Sequence, residues 1–391
     1  MNPQETHPNA PGAPGDLADI AVVTVTVNPA LDQTVCVNGL QAGAVNLGES
    51  LEFNAGGKGV NVASCLADYG LRTTVTGLLG RDDAQLFDTL FAAKRIDDRF
   101  VRVAGRPRIN VKLVDLAHGQ TTDINLASAA PAVADLLALE QTVLRLAAPG
   151  RWFVLAGSLP PGVDPGFYRQ LTRALRQAGA RVALDTSGAP LMASLAPGLV
   201  PADDAACLPD LIKPNRAELE KLVGHALPDP AALEAAAAVL VARGVACVVV
   251  SLGEDGAFGL RAMPAPGSMP GSGSGSESGS GSASTSTSTS MPAPTTARAP
   301  TVAYAGFRAA PLRVPVTSTV GAGDAFVAGL VASLIEGRAW PECGRRATAF
   351  AAGKLARVGP HLPSAAALDV LAQQVHVETF VGSAPCAHGE A

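Results

Sequence analysis

Short runs of β-branched residues alternate with longer Ala/Leu-rich segments along most of this 391-residue chain, and no other feature constrains its fold as strongly. The short runs have the length of strands, whereas the longer segments have helical periodicity. Strands separated by helices favour right-handed crossovers, and therefore a mainly parallel sheet covered on both faces. The predicted strands are residues 20–27, 73–78, 152–156, 181–185, 211–213 and 247–252.

Two stretches depart from this alternation. Residues 34–53 and 108–126 have the pattern of short alternating strands, with turns at Asn38-Gly39 and His118-Gly119. They predict a second, smaller β-sheet. In an open parallel sheet, ligands bind beyond the carboxyl ends of the strands, so we expect the polar residues that follow the predicted strands to form the site.

Three segments have a composition that does not support a packed core. Residues 1–19 are rich in Pro, Asn, Gly and Ala and contain no apolar stretch, which favours a disordered tail over a signal peptide. Residues 263–300 are rich in Gly, Ser and Thr and predict a disordered insert. Residues 377–391 are predicted to be a flexible tail. Because patterned sequence resumes at Thr301, we expect one domain over 20–376 that contains the insert.

Composition excludes several classes of protein. The net charge of -5 and the 4% content of aromatic residues argue against nucleic acid as a partner. Arg243 interrupts the longest apolar stretch, residues 233–250, so no membrane span is predicted. The six cysteines and six histidines lack metal-ligand spacing. Without an export signal, the sequence predicts a soluble protein of the cytoplasm with reduced thiols.

The run STVGAGDAF at residues 318–326 ends a β-rich segment and begins an apolar helical pattern. Gly321, Ala322 and Gly323 would place backbone N–H groups at a helix N-terminus, where a phosphate group is favourably bound. Asp324 is a carboxylate beside that predicted phosphate site, which suits the general base of a phosphoryl transfer. Alternatively, Asp324 is an ordinary first-turn residue and the glycines serve a strand-to-helix turn.

A second glycine-rich run, NAGGKGVNVA at residues 54–63, also begins a helical pattern, which ends at Gly70. Its glycines allow the backbone to pass close to a ligand, and Lys58 and Asn61 place polar groups at the helix start. Neither run matches the Walker A loop or the dinucleotide-binding pattern Gly-x-Gly-x-x-Gly.

Together, in this order, the two runs resemble the two signatures of the ribokinase-like family of carbohydrate and purine kinases. The resemblance extends from about residue 24 to about residue 375, apart from the insert. Further strings favour the branch of 1-phosphofructokinases and tagatose 6-phosphate kinases, and 1-phosphofructokinases above all: TVNPALD at 26–32, RINVKL at 108–113, TDIN at 122–125, GSLPPG at 157–162 and KPNRAE at 213–218.

The resemblance implies a three-layer α/β/α fold with a mainly parallel central sheet, in which the smaller sheet is a lid over a sugar site. It implies ATP and Mg²⁺ as cofactors and phosphorylation of D-fructose 1-phosphate at its C6 hydroxyl. Asp324 would be the base, and the amides of Gly321, Ala322 and Gly323 would hold the transferred phosphoryl group. In relatives the lid often supplies a homodimer interface.

On the sugar side, the resemblance implies that Asp32 binds hydroxyl groups and that Gly57, Lys58, Asn61 and Ser158 contact the substrate. Asp32 is alternatively a turn residue beside Pro29. Side chains two apart on a strand share a face, so Arg108, Asn110 and Lys112 would point inward together. Two cations on one face suit a substrate phosphate, although exposed strands also carry Arg and Lys for solvation.

On the nucleotide side, Asn215 and Glu218 match a motif that positions Mg²⁺, through water. The same pair would also form a helix capping box. By resemblance, ATP is bordered by Lys213, Gly323 and a strand-end turn that comprises Ser251, Leu252, Gly253, Glu254, Asp255 and Gly256.

Two alternatives to this function remain open at the level of sequence. A tagatose 6-phosphate kinase or 6-phosphofructokinase would use Arg108 and Lys112 for a phosphate at the other end of the sugar. A non-catalytic sugar-phosphate sensor would keep the fold without the reaction, although an intact Asp324 argues against it.

Overall fold

The structure, a computed structural model, describes residues 21–195, 208–263, 301–357 and 359–385. The predicted N-terminal tail lies outside these residues, as does the predicted insert apart from Met263. Within them, two β-sheets and a set of helices form the fold.

The central sheet contains eleven of the described strands, in the order β15-β14-β13-β12-β11-β10-β9-β1-β4-β5, with β6 also paired to β4. All pairs from β12 to β5, including that with β6, are parallel, whereas β12 to β15 pair antiparallel. The strands are β1 (Val22–Thr26), β4 (Thr73–Gly80), β5 (Asp97–Asp98), β6 (Val101–Val103), β9 (Trp152–Ala156), β10 (Arg181–Asp185), β11 (Leu211–Ile212), β12 (Cys247–Ser251), β13 (Ala257–Ala262), β14 (Thr301–Ala309) and β15 (Val377–Pro385).

Helices cover both faces of this sheet. One hydrophobic core contains residues of α3 to α7, and a second contains residues of α1, α8, α9 and α10. The helices are α1 (Lys58–Tyr69), α2 (Gln85–Lys94), α3 (Val133–Leu146), α4 (Phe167–Gln177), α5 (Gly188–Leu195), α6 (Arg216–Val223), α7 (Pro230–Ala242), α8 (Ala322–Ile335), α9 (Trp340–Leu355) and α10 (Ala365–Gln374).

The strand β9 shows why the sheet is buried on both faces. Phe153 and Leu155 belong to one core, and Val154 and Ala156 belong to the other. Successive side chains of a strand point to opposite faces, so a strand with apolar residues at every position requires cover on both sides. The predicted three-layer α/β/α architecture with a mainly parallel sheet is confirmed.

The smaller sheet, called the lid here, has the strand order β3-β2-β7-β8. Its strands are β2 (Ala30–Val37), β3 (Gly48–Gly56), β7 (Arg108–Asp115) and β8 (Gln120–Asn125). The predicted turn at His118-Gly119 joins β7 to β8. The chain also turns at Asn38-Gly39, but β3 begins only at Gly48. Because β2 begins at Ala30, four residues before the predicted lid, Asp32 is itself a lid residue.

The prediction of a flexible tail from residue 377 is wrong for Val377–Pro385. These residues form β15, which pairs along its whole length with β14. Val377, Thr379, Phe380 and Val381 have high strand propensity, so the segment carries a short strand signal that the prediction did not use, and residues 386–391 of the predicted tail lie outside the described residues. The hydrogen bonds of β15 to β14 and the packing of Phe380 on the ring of Phe258 stabilise it. The edge strand is thus determined by tertiary pairing.

Candidate active site

Charged side chains meet at the carboxyl ends of the parallel strands, where the sequence places the site. Asp185, the last residue of β10, is 2% exposed, and its Oδ1 lies 3.0 Å from Lys58 Nζ and 3.4 Å from Lys213 Nζ. Burial alone would raise the pKa of Asp185, but the two ammonium groups hold it below its usual value. The three side chains therefore form an ionised cluster beneath the site.

Asp324 lies in the first turn of α8, beside this cluster. Its Oδ2 accepts a hydrogen bond of 2.7 Å from Asn61 Nδ2, which belongs to the first turn of α1. Gly321 precedes the helix with φ +76°, a left-handed conformation that favours glycine. The two predicted glycine-rich helix starts thus meet at a single carboxylate, which is 7% exposed.

The pKa of Asp324 is raised to about 6. Burial is the largest cause, and the negative charge of Asp185 adds to it, whereas Lys58, the Asn61 hydrogen bond and Lys213 oppose the increase. A carboxylate with a pKa close to neutrality is ionised at pH 7 and accepts a proton more readily than an ordinary Asp does. The environment of Asp324 therefore suits a general base.

The lid contributes a second group of polar side chains. Asp32, which is 8% exposed, accepts a hydrogen bond of 2.9 Å from Asn110 Nδ2. Arg108 donates to the Asn110 amide oxygen and, over 3.4 Å, to the carbonyl of Asn28. Burial raises the pKa of Asp32 despite the opposing effects of Asn110, Lys112 and Arg108. Arg108, Asn110 and Lys112 thus lie at alternate positions of the strand β7, as predicted.

The position of Asp32 also explains why a glycine ends β3, just before α1. A Cβ added at Gly56 would lie 2.5 Å from Asp32 Oδ2, which is closer than a side chain tolerates. The Asp32 carboxylate can therefore occupy its place over the end of β3 only because position 56 carries no side chain. The next residue, Gly57, is the N-cap of α1.

A cavity of about 400 Å³ lies between the lid and the start of α8. Asp32, Asn61, Lys112 and Gly321 all line it. Lys112 is 13% exposed in its side chain and pairs with Asp123 of β8 over 3.0 Å. The cavity thus joins the predicted sugar-binding residues to the predicted phosphate site.

Of the nine predicted substrate residues, Asp32, Asn61 and Lys112 line this cavity, whereas Gly57, Lys58, Arg108, Asn110, Ser158 and Asp324 do not. Ser158, which follows β9, accepts a hydrogen bond of 3.1 Å from Asn28 Nδ2, so it connects to the chain between β1 and the lid. Arg108 reaches the cavity only through Asn110 and Asp32. Their direct contact with a substrate remains a prediction.

The predicted nucleotide residues lie at the ends of β11 and β12. Asn215 and Glu218 form a capping box at the start of α6, in which each side chain accepts a hydrogen bond from the other's backbone amide, at 2.8 and 2.9 Å. Asn215 also forms a β-bridge with Ser251. Residues Gly253–Asp255 then form a short 3₁₀ helix that turns the chain into β13. The predicted ATP-binding segments are therefore neighbours.

Gly323 faces this side of the site. A Cβ added there would lie 3.9 Å from Lys213 Nζ, so Lys213 reaches from β11 toward the start of α8. Lys213 itself is 7% exposed. The groups assigned to the nucleotide and those assigned to the transferred phosphate are therefore adjacent.

Sequence reasoning missed two charged residues of the site. Asp185 was predicted only as the end of a strand, although a carboxylate at the carboxyl end of a buried strand was a usable signal. Lys354 lines the cavity beside Gly321 and is 3% exposed. It lies in an Ala-rich helical run, and only the packing of α9 against α8 brings it to the site.

Among the described residues, no three His, Cys, Asp or Glu side chains cluster in a way that would hold a metal ion. No helix within the described ranges is long and apolar enough to cross a bilayer.

Comparison with known proteins connects this geometry to a family. The family profile described as pfkB family carbohydrate kinase matches residues 23–265 and 301–367, on either side of the insert. A 1-phosphofructokinase of Rhodobacter capsulatus is 40% identical over 360 residues, which cover 92% of this chain and 98% of the relative. A 1-phosphofructokinase of Xanthomonas campestris pv. campestris is 40% identical over 334 residues, 85% and 90% of the two chains.

The fold has a solved counterpart. The crystal structure of phosphofructokinase-2 from Escherichia coli in complex with substrates and products is similar, with a TM-score of 0.73 and 26% identity, and the match covers 90% of this chain and 99% of that one. Fold and site together define a phosphotransferase with the ribokinase-like architecture. The chain belongs to the pfkB family of carbohydrate kinases.

Proposed function

We infer that this protein transfers the γ-phosphoryl group of ATP to the C6 hydroxyl of D-fructose 1-phosphate, giving fructose 1,6-bisphosphate and ADP. The contact between Asn61 and Asp324 is the main support, because it joins a buried carboxylate to a side chain that lines the cavity together with Gly321. We propose the cytoplasm, where ATP is available, as the site of the reaction.

In the proposed step, Asp324 accepts the proton of the C6 hydroxyl as the hydroxyl oxygen attacks the γ-phosphorus. The bond between the γ-phosphorus and its bridging oxygen breaks, and ADP leaves with that electron pair. Asn61 orients the carboxylate through its hydrogen bond to Oδ2. The amides after Gly321, at the start of α8, stabilise the charge on the transferred group.

Lys58 and Lys213 provide positive charge on the ATP side of the site. Both are held by Asp185, so their ammonium groups are positioned before the nucleotide binds. Preorganised charges of this kind stabilise a transition state without further reorganisation. We propose that Lys213 contacts the ATP phosphates and that Lys58 contacts the group in transfer.

Glu218 fits a role in holding Mg²⁺. The capping box engages its Oε2, and the negative charge of Glu218 acts on Lys58, so Glu218 lies within electrostatic reach of the site. Mg²⁺ usually keeps several of its waters, so one carboxylate and phosphate oxygens suffice to hold it. When bound, the ion would neutralise charge on the triphosphate. Asn215 would position Glu218 by capping.

The lid cations support a phosphorylated acceptor. Lys112 lines the cavity with a mostly buried side chain. Arg108 is held by its hydrogen bond to Asn110, two residues along the same strand. The 40% identity to 1-phosphofructokinases, against 26% to phosphofructokinase-2, favours a phosphate on C1 of the sugar rather than on C6.

Initial rates with a panel of phosphosugars test this assignment. We expect the highest kcat/KM with fructose 1-phosphate. A higher value with tagatose 6-phosphate or fructose 6-phosphate would assign the chain to the corresponding kinase. If no sugar supported ADP release in a coupled assay, the protein would be a non-catalytic sensor.

We also propose a homodimer through the lid. The face of the lid opposite the cavity carries Leu51, Phe53 and Ile124, which are 54%, 46% and 45% exposed. Adjacent exposed apolar side chains on one face are typical of an interaction surface. A second lid placed on this face would bury them.

Light scattering coupled to size-exclusion chromatography tests the dimer. Phe53→Asp should convert a dimer to a monomer, whereas the exposed apolar Val370 of α10 provides a control, Val370→Asp, that should leave the mass unchanged. A wild-type monomer at micromolar concentration would refute the proposal.

A further inference from the structure

The buried lysine beside the Gly321 turn has no role in the function proposed above. Lys354 lies in the last turn of α9 and is 3% exposed. A Cβ added at Gly321 would lie 3.4 Å from Lys354 Cε and 3.8 Å from both Asn61 Nδ2 and Asp324 Oδ2. The lysine stem therefore packs against the turn that begins α8, on the side where the base and its hydrogen-bond donor lie.

Lys354 differs from the other lysines in this part of the molecule. Each of the others pairs with a carboxylate: Lys58 and Lys213 with Asp185, Lys112 with Asp123, and Lys94 with Asp68. Within the described residues, the one hydrogen bond of the Lys354 ammonium runs to the carbonyl of Arg357, over 3.3 Å. Burial lowers the pKa of Lys354, and the attraction of the Asp324 carboxylate only partly opposes this, so an incoming anion would offset the remaining cost of the buried charge.

The backbone couples this lysine to the phosphate site. The amides of Thr317 and Ser318 both donate to the carbonyl of Leu355, over 2.8 and 3.1 Å. The C-terminal turn of α9 is thereby attached to the segment that leads into Gly321. The C-terminus of a helix also stabilises a positive charge, which helps to keep the ammonium in place.

We propose that Lys354 is a positioning residue whose ammonium group serves as a built-in monovalent cation behind the Gly321 turn. It holds the turn in shape and stabilises the negative charge that accumulates on the phosphoryl group during transfer. This inference rests on the proposed phosphotransferase function. It adds a charge that the glycine-rich motif itself does not contain.

Substitutions that separate charge from packing test the proposal. Lys354→Met keeps the apolar stem and removes the charge, and we expect kcat to fall about 100-fold, as for loss of one oxyanion-stabilising donor, with the KM for the sugar little changed. Lys354→Gln keeps a hydrogen-bond donor toward Arg357 and should be equally impaired. Lys221→Met, at an exposed helix C-terminus, is the matched control.

Chemical rescue provides a readout that a purely structural role would not affect. In Lys354→Ala, ammonium chloride should restore activity because the ion can occupy the vacated space, whereas tetramethylammonium chloride at the same ionic strength should not. A kcat near the wild-type value in Lys354→Met or Lys354→Gln would overturn the proposal. So would a folded Lys354→Ala enzyme that ammonium fails to activate.

The design also separates this proposal from the proposed function. All variants are measured with whichever phosphosugar gives wild type its highest kcat/KM, so an error in the substrate assignment appears in the wild-type panel alone. An error about Lys354 appears only in the ratio of variant to wild type. If Lys354→Met does not fold by circular dichroism, Lys354→Gln and the ammonium response of Lys354→Ala still decide the question.

Discussion

The carboxyl end of the central sheet and the lid meet at one cavity but are built in opposite ways. At the sheet end, Asp185 and Asp324 are 2% and 7% exposed, and each carboxylate is held by a side chain of another element, Lys58 and Asn61 respectively. On the lid, Lys112 reaches inward from a thin sheet and pairs with Asp123, which is 54% exposed.

The difference indicates a division of labour. Buried, mutually paired charges cannot rearrange without a large cost, so they suit a chemical step that depends on fixed geometry. Side chains on a thin sheet adjust more readily and lose solvent when a substrate binds, which suits recognition. Substitutions at the sheet end should therefore change mainly kcat, and substitutions on the lid should change mainly KM.

The largest effect is expected at the buried carboxylate. Asp324→Asn should lower kcat by about 10³-fold because a general base contributes on that order, while the Kd for ATP measured by calorimetry stays within a few-fold. Asp369→Asn on the exposed face of α10 serves as the control. A loss of less than tenfold would remove Asp324 as the base.

Lowering the pH should reproduce part of this loss in the wild-type enzyme. Asp324 has a pKa of about 6 and accepts a proton only when ionised, so kcat/KM should fall about tenfold per pH unit below that value and level off above it. Rates between pH 5 and pH 8 measure the profile, with circular dichroism to show that the fold persists. A flat profile down to pH 5 would contradict the raised pKa.

Substitution of a lid cation should change KM rather than kcat. Lys112→Ala should raise the KM for the phosphosugar about 10- to 100-fold, since a hydrogen bond to a charged group contributes about 1.5–3 kcal/mol, and should leave kcat nearly unchanged. Arg106→Ala is a matched control, because Arg106 precedes the same strand but pairs with Asp83 at the surface. If only the KM for ATP changed, the acceptor phosphate would lie elsewhere.

The smallest effect is expected far from both regions. Deleting residues 272–290 should change the free energy of unfolding by less than about 1 kcal/mol, because the cost of loop closure depends only logarithmically on loop length. The chain ends that flank the insert already meet, with Ala262 paired to Tyr304 and Met263 donating to Ala303 over 2.8 Å. Thermal denaturation and kcat check this, and a failure to fold would show that the insert is structural.

Much of the fold was predictable because local pattern and final environment agree. The strands at 152–156 and 181–185 were predicted to the residue, since their continuous apolar runs are buried on both faces. The strand β15 was missed because its signal is short, is followed by Gly, Ser, Ala and Pro, and depends on pairing with β14. Local signals fail where an element depends on a distant partner.

In the candidate site, too, residues with a local sequence signal were predicted and a residue placed by tertiary packing was missed. Gly321, Asp324 and Asn61 were found because glycines at a helix start are visible in sequence. The capping box of Asn215 and Glu218 was anticipated as an alternative to metal binding, and the hydrogen bonds of that box are present. Lys354 was missed because nothing in an Ala-rich helix indicates which residue will face the next helix.

The hydrogen bond from Asn61 to Asp324 joins residues separated by 263 positions in the chain. During synthesis, the first of these residues leaves the ribosome long before the second, and the proposed catalytic pair cannot exist until α8 has emerged. A nascent chain, or a fragment cut before α8, would therefore carry the lid and all the described parallel strands but, if the pair has its proposed role, would not consume ATP. Activity appears only when nearly the whole polypeptide is in place.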